Sequence, residues 1–418
     1  MPDGSPATER LNALKSAYAT SALALSRTIR SLVADELAHA RNDRSLIPAS
    51  LDWSGSARLD ESGLGFDSLD IINAASRVNQ FFRLHEVGVE DYLLLEGTVD
   101  KWADIVRQSL AMSFESLTFL TSGSTGEPKI QSHSFDSLAR DAVFIRDRLK
   151  PSRILSLVPA HHIYGAIYTT LMPLVDGSEC PVIDIRFMPA KSLRDLLSEG
   201  DLIVGTPFTL KAFARSIETF PAGVRALTST APMSNDLAQS LNDMGLETLL
   251  EVYGASETGG IGWRTGVGTP FRPFPWWSLD TNASTVTLLP EDLSQTPEPM
   301  VLQDRITAEA DGCFSIAGRK DGGQQVGGVN VFPSKIEAYL NAQPGVAESA
   351  VRGTQPSNGA TNRLKAFIVP ESNEDASDLL GRLEAACRSD LSTPERPVHF
   401  TIGAEIPTNE IGKRLDWS

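Results

Sequence analysis

The run Leu120, Thr121, Ser122, Gly123, Ser124, Thr125, Gly126, Glu127, Pro128, Lys129 gathers hydroxyls, glycines and an ammonium group into one short stretch. Apolar Leu117, Phe119 and Leu120 lead into it, which predicts a strand opening into a loop. Glycine lets a backbone approach oxygen atoms closely, consecutive N–H groups form an anion-binding concavity, and the lysine adds a mobile positive charge. A polyphosphate such as ATP suits that chemistry. The spacing is not Gly-x-x-x-x-Gly-Lys-Ser/Thr, because Lys129 stands three residues after Gly126 with Pro128 between. A P-loop NTPase is therefore disfavoured, and the loop alone also reads as an ordinary surface turn.

Further segments narrow the choice. Tyr253, Gly254, Ala255, Ser256, Glu257, Thr258, Gly259, Gly260 follow the apolar stretch Leu249, Leu250, Val252. Gly318, Arg319, Lys320, Asp321 follow a turn at Asp311 and Gly312 and a short predicted strand from Cys313 to Ala317. Ile406, Pro407, Thr408, Asn409, Glu410, Ile411, Gly412, Lys413 stand near the C-terminus. In this order the segments resemble the adenylate-forming superfamily of acyl- and aryl-CoA ligases, nonribosomal adenylation domains and luciferases, from about Leu117 onward.

The resemblance implies that a carboxylate attacks the α-phosphorus of ATP, expels pyrophosphate and leaves an acyl-adenylate, whose acyl group then passes to a phosphopantetheine thiol with release of AMP. Like charges must meet, so the site should offer backbone donors, a cation and Mg²⁺ rather than a strong base. By resemblance, Thr121, Ser122, Gly123, Ser124, Thr125, Gly126 and Lys129 hold the β- and γ-phosphates. Glu257 binds Mg²⁺ and Ser256 the α-phosphate; Tyr253 stacks on adenine, beside Gly254 and the loop Ser229, Thr230, Ala231, Pro232. Asp304 takes the ribose hydroxyls with Arg319, and Lys413 bridges carboxylate and phosphate oxygens. Pro159 to Gly165 resembles the wall of the carboxylate pocket, with His162 near the substrate carboxylate and Tyr164, Phe208 and Gly254 to Gly260 lining the rest. Blander readings stay open: a solvated carboxylate for Glu257, an exposed turn for Asp304, a polar loop for the histidines, a surface lysine for Lys413. Gln303 and Gln325 depart from the family's pattern, where Gln325 replaces a common lysine.

Composition sets the frame. The 418 residues, 41% hydrophobic and 22% charged, suit a soluble globular protein with two or three domains. A net charge of −16 argues against a nucleic-acid surface or an anionic membrane as partner. No apolar run approaches the roughly 20 residues of a membrane span, and the start Met1, Pro2, Asp3, Gly4 lacks a signal peptide's regions, so a cytoplasmic location is expected. Cys180, Cys313 and Cys387 are scattered and read as buried thiols. The six histidines show no metal-ligand spacing.

The first 116 residues do not look like the usual ligase N-terminal subdomain. Gly63, Leu64, Gly65, Phe66, Asp67, Ser68, Leu69, Asp70 resembles the Asp-Ser-Leu signature of acyl and peptidyl carrier proteins, whose serine bears 4′-phosphopantetheine. Helical spacing of Leu25, Ile29, Leu32, Val33, Leu37, of Ile71, Ala75, Val78, Phe82 and of Val99, Trp102, Val106, Leu110 supports a helical bundle. Ser68, or Asp67, also reads as a plain helix cap. At the other end of the chain, Ala347 to Val351 and Lys365 to Val369 are predicted strands and Asp375 to Arg388 a predicted helix.

The expected fold class is α/β: a layered adenylate-forming core with a small α+β C-terminal domain, preceded by a four-helix carrier-like domain. Expected divisions are a flexible N-terminus over 1–20, the carrier-like domain over 21–111, a shortened adenylation core over 112–318 and a mobile C-terminal domain over 319–418. The expected function is an ATP-dependent ligase joining a small aryl or acyl acid to CoA, to a carrier protein or to an arm on Ser68, in a biosynthetic pathway. A non-catalytic docking scaffold, or an adenylate-forming amide or ester ligase, is the alternative.

Overall fold

In the computed structural model the described residues are all but 1–5, 42, 44–45, 50, 52, 123–127, 178–179, 284, 289–298, 321, 327–328, 355–362, 373, 408–416 and 418. The chain divides into two compact units, one built mainly from residues up to Phe274 and the other from Pro275 onward. The expected divisions at 111/112 and 318/319 thus differ from the observed one, and the N-terminal helices share a unit with the α/β core.

That unit begins with helices α1 (Pro6–Thr20), α2 (Ala22–Ala40), α3 (Ser68–Phe82) and α4 (Val99–Met112). Residues 6–20, expected to be flexible, instead form α1, which buries Leu11, Leu14 and Tyr18. The apolar stripe of α2 predicted by 3.6-residue spacing is buried in full, as are Val99, Trp102, Val106 and Leu110 of α4. Aromatic rings tie these helices to the α/β core: Phe81 lies 5.1 Å from Phe119, and Tyr18 lies 6.0 Å from Phe135.

Strands β1 (Ser116–Ser122) and β2 (Pro128–Ser134) form a two-stranded sheet, and α5 (Phe135–Leu149) comes next. The main sheet then collects β3 (Ile154–Ser156), β4 (Val182–Asp184), β5 (Leu202–Gly205), β6 (Arg225–Thr228), β7 (Thr248–Ala255), β8 (Gly259–Thr265) and β9 (Arg272–Pro273) in the order β4-β3-β5-β6-β7-β8-β9. The neighbours from β4 to β7 in this order pair in parallel, and β8 and β9 close one edge antiparallel. Helices α6 (Ala190–Leu196), α7 (Pro207–Ala214) and α8 (Asn235–Asp243) fill the crossovers. The fully buried strand β5 reads Leu-Ile-Val-Gly, the continuous apolar run expected of a parallel strand covered on both faces.

In the second unit, β10 (Trp277–Asp280), β11 (Thr285–Leu288) and β12 (Met300–Val301) form one small sheet. β13 (Asp304–Ala308) pairs with β14 (Phe314–Arg319), and β15 (Gln324–Val326) with β16 (Val329–Val331). Helix α9 (Pro333–Asn341) and helix α10 (Ala376–Asp390) then accompany β17 (Val346–Gly353), β18 (Leu364–Pro370) and β19 (Pro397–Ile402). Ile336, Leu340, Leu364, Ile368, Leu379 and Leu383 form the shared core. This α+β unit matches the predicted strands at 347–351 and 365–369 and the predicted helix at 375–388 to within two residues at each end. Among the described residues no helix is long and apolar enough to cross a membrane.

Candidate active site

Because β3, β5, β6 and β7 run parallel, the segments that leave their C-terminal ends do so from one edge, where open α/β sheets bind ligands. β3 leads to Pro159–Gly165, β5 to Phe208 on α7, β6 to Ser229–Pro232, and β7 to the turn around Ser256. Sequence segments scattered over about a hundred residues therefore share one side of the sheet.

Tyr164 fastens two of these strand ends. Its hydroxyl lies 3.1 Å from the Gly205 carbonyl oxygen and 2.8 Å from that of Leu227. Burial drives its pKa well above the usual phenol range, so it remains a donor. Expected to line the pocket, Tyr164 is buried and acts as a clamp, whereas Phe208 is 52% exposed. Gly165 permits the preceding fold-back: a Cβ there would meet the Pro159 carbonyl oxygen at 1.9 Å. His162 reaches solvent at the start of a short helical turn, its ring 4.7 Å from that of buried His161.

The loop Ser229–Pro232 contains the backbone outlier Thr230, at φ +75°. A β-branched residue in the left-handed region is strained, and such strain persists where surrounding structure imposes it. Here the exit of the loop is pinned: the Met233 N–H donates to Glu251 Oε1 over 3.2 Å. Glu251 in turn pairs with Arg264 at 2.6 Å. Burial pushes Glu251 up, against the opposing pull of Arg264. Ser229 and Ala231 are half-buried on either side of exposed Thr230.

The β7–β8 turn is held from both sides. Gly254 lies opposite Gly260, and a Cβ at Gly254 would meet the Gly259 carbonyl oxygen at 2.2 Å. Within the turn, the Ala255 N–H donates to Thr258 Oγ1 over 3.2 Å. From β2, His133 Nε2–H donates to the Ser256 carbonyl oxygen over 2.7 Å. From α5, Asp141 Oδ2 accepts the Gly260 N–H over 2.8 Å. Tyr253, predicted to stack on adenine, is buried with its ring 5.8 Å from Phe271. Ser256 is half-buried, and Glu257 is exposed, with no ion pair among the described residues.

An exposed carboxylate without a cationic partner among the described residues is a hard oxygen ligand of the kind Mg²⁺ takes, so Glu257 fits the metal that the motif implies. Bound there, Mg²⁺ would supply charge neutralisation for phosphate oxygens.

Sequence alone does not mark His133 or Asp141 as site residues. His133 has no metal-ligand spacing, and its partner Ser256 is 123 residues away. Burial lowers its pKa, opposed by the Ser256 carbonyl and Glu257, so it is a neutral donor at pH 7. With Ser256 and Glu257 holding ATP and Mg²⁺ as the motif resemblance implies, His133→Ala is expected to raise the KM for ATP by about tenfold and to leave the KM for the acid unchanged, because it frees the turn that carries them. Steady-state kinetics with each substrate varied in turn would check this.

In the second unit, Asp304 lies directly opposite Arg319 across β13 and β14. The pair expected to share the ribose is thus juxtaposed by strand register. The Lys320 N–H donates to the Gln303 carbonyl oxygen over 2.7 Å, continuing the pairing past Arg319. Gln325 lies opposite Asn330 on β15 and β16. Ile406 and Trp417 both bury against Ala350 and Phe367. Thr121, Ser122 and Lys129 lie on β1 and β2 by their backbones, whereas Gly123, Ser124, Thr125, Gly126 and Lys413 lie outside the described residues.

Ser68 is exposed in the first turn of α3. Asp67, not Ser68, caps that helix: Asp67 Oδ1 accepts the Asp70 N–H over 2.8 Å, and Asp70 Oδ2 accepts the Asp67 N–H over 3.1 Å.

The AMP-binding enzyme family matches residues 99–288, and the AMP-binding enzyme C-terminal domain matches residues 335–413. A protein of Rhodobacter capsulatus named 4-coumarate–CoA ligase is 39% identical over 390 residues, covering 91% of this chain and 97% of that one. One of the same name from Halorhodospira halophila is 37% identical, covering 93% and 97%. Among solved structures, o-succinylbenzoate CoA synthetase from Bacillus subtilis superposes with a TM-score of 0.55 at 18% identity, covering 71% of this chain and 67% of that one. A malonyl-CoA ligase gives 0.53 at 21%, covering 70% and 71%. These two share the fold. The relatives carry more, since their match extends through most of the N-terminal helical region. Identity of this depth over nearly the whole of both chains places the protein in the AMP-binding enzyme family, as an AMP-forming, ATP-dependent acid–CoA ligase.

Proposed function

We propose that the acid is an aryl-propenoic acid of the 4-coumarate kind and that the acceptor is free CoA. The observation that carries this is the 39% identity to a protein named 4-coumarate–CoA ligase across 97% of that protein's length. In this reading Thr121 to Gly126 and Lys129 hold the β- and γ-phosphates, and Glu257 holds Mg²⁺. Ser256 contacts the α-phosphate, while Tyr253, Gly254, Ser229 and Ala231 enclose adenine. Asp304 and Arg319 bind ribose, His162 receives the acid's carboxylate, and Lys413 bridges carboxylate and α-phosphate. The adenylation step needs no deprotonation, because its nucleophile, the carboxylate, is already an anion. The site's task is to offset charge as two anions approach.

A carrier arm on Ser68, and with it a place in a biosynthetic assembly line, is the second reading. Exposure of Ser68 at a helix start favours it. The extent of the match to relatives named as CoA ligases favours free CoA instead. A cytoplasmic location belongs to either reading.

The experiment is thioester formation from ATP, CoA and a panel of acids, followed by mass spectrometry. 4-Coumarate is expected to give its CoA thioester with kcat/KM at least about tenfold above short or medium aliphatic acids, the difference that burying an aromatic ring makes. Adenylate without thioester would favour an amide or ester ligase; no acid-dependent pyrophosphate release would favour a scaffold. Intact mass after treatment with a phosphopantetheinyl transferase and CoA is expected to be unchanged, and a phosphopantetheine mass increment lost in Ser68→Ala would establish the arm.

A further inference from the structure

Arg27, Ser31 and Asp35 recur every four residues on α2 and so share one face of that helix. That face docks on the segment that holds the histidine pair and the turns after it. Arg27 Nη1 donates to the Thr169 carbonyl oxygen over 2.9 Å. Ser31 Oγ lies 2.8 Å from His161 Nδ1, and Asp35 Oδ2 lies 3.5 Å from His161 Nε2. The Ser31 hydrogen bond ties Nδ1 to α2, while Nε2 has Asp35 within ion-pair distance but no hydrogen bond among the described residues. Burial holds His161 as a neutral imidazole with α2 facing both of its nitrogens, and its ring lies 4.7 Å from His162 at an interplanar angle of 32°.

We propose that Ser31 and Asp35 are positioning residues for His162: they hold the His161 ring, and His161 holds His162, so that α2 sets the placement and charge of the imidazole at the acyl end. This rests on the reading of His162 as the residue that receives the acid's carboxylate. It also gives the N-terminal helices a part in the reaction that composition and motif do not assign to them.

The charged groups facing His162 come from each element around it. His162 reaches solvent, but the groups packed against its ring disfavour the imidazolium most; Asp35 on α2 opposes that, and Arg186 after β4 and Arg77 on α3 disfavour it further. Arg186 is itself paired with Asp184 at 2.7 Å, and Arg77 lies 3.4 Å from Glu36. Removing the Asp35 charge therefore moves the His162 titration to lower pH.

The test uses the full-length enzyme. Asp35 is about half exposed, so Asp35→Asn is expected to fold with little loss of stability. Asp35→Asn and Ser31→Ala should raise the KM for the acid on the order of tenfold with the KM for ATP unchanged, and Asp35→Glu should restore part of it. The His162 ring resonance, followed by NMR against pH and assigned with His162→Gln, should titrate at lower pH in Asp35→Asn than in the wild type. A shift in that titration together with the change in acid KM supports the proposal. An unchanged titration and acid KM in Asp35→Asn, with His162→Gln impaired, overturns it. An unchanged acid KM in His162→Gln overturns instead the assignment of His162 to the acyl end.

Discussion

Lys413→Ala is expected to lower acid-dependent pyrophosphate exchange by about 10²–10³ and to leave thioester formation from a supplied acyl-adenylate within about twofold of wild type. The magnitude derives from charge. A unit positive charge about 4 Å from an anion, at the effective dielectric of a partly exposed site, interacts by about 4 kcal/mol. A loss of 10²–10³ corresponds to roughly 3–4 kcal/mol, so one ammonium accounts for the effect without any general base. In the proposed reading the C-terminal domain rotates between the two half-reactions, and Lys413 serves only while phosphate and carboxylate meet, which is why the loss should fall on one half-reaction. The variant should fold normally. Ile406 and Trp417, the residues on either side of the segment, are anchored with Ala350 and Phe367, and Arg352 lies 4.6 Å from the Trp417 ring. None of those contacts involves the substituted side chain. Exchange of labelled pyrophosphate and CoA-dependent consumption of synthetic adenylate measure the two steps separately, and an equal loss in both would refute the division of labour.

Much of this architecture is legible in the chain because the features that specify it are local. Strands β3 and β5 to β7 are short apolar runs between Gly- and Pro-containing turns, and their parallel order forces the loops after them to one edge. Asp304 and Arg319 flank a hairpin, so ladder register alone sets them opposite each other. What sequence does not disclose is the second layer of support. His133 reaches Ser256 across 123 positions, Asp141 reaches Gly260 across 119, and Ser31 reaches His161 across 130. Each is a single polar residue on an otherwise ordinary strand or helix, with no periodicity to mark it. The N-terminal helices show the same limit. Their apolar stripes predict a bundle, but only the polar face of α2 and rings such as Tyr18 and Phe81 reveal that the bundle belongs to the ligase core. Tyr164 is a related case: an aromatic in a pocket motif reads as lining, yet its hydroxyl is taken up by two strand-end carbonyls.

Asp141→Asn is expected to flatten a pH dependence of stability that the wild type carries. The Asp141 carboxyl is fully enclosed on α5, and burial pushes its pKa up to about 8, against the Gly260 N–H and Arg140, which pull it down. In the unfolded chain the same group titrates near 3.8. Between those values the folded state holds a proton that the unfolded state has released. Stability is therefore greatest below the unfolded value and declines as pH rises toward 8, by at most about 1.4 kcal/mol per pH unit from this residue. Asparagine keeps an oxygen to accept the Gly260 N–H but cannot ionise, so the stability of the variant relative to wild type should climb from about pH 5 to pH 8 and then level off. Urea unfolding of both proteins at about pH 5 to 9 reads that difference directly, and parallel curves would show that Asp141 is not the group responsible. The site itself explains why the carboxyl is kept near its acidic form. Gly260 has no space for a side chain, since a Cβ would come within 2.5 Å of Phe274 and 2.7 Å of Asp141 Oδ2. The turn bearing Glu257 thus depends on a backbone N–H reaching into the core, and an interior acceptor held neutral can meet that N–H without the penalty of burying a full charge.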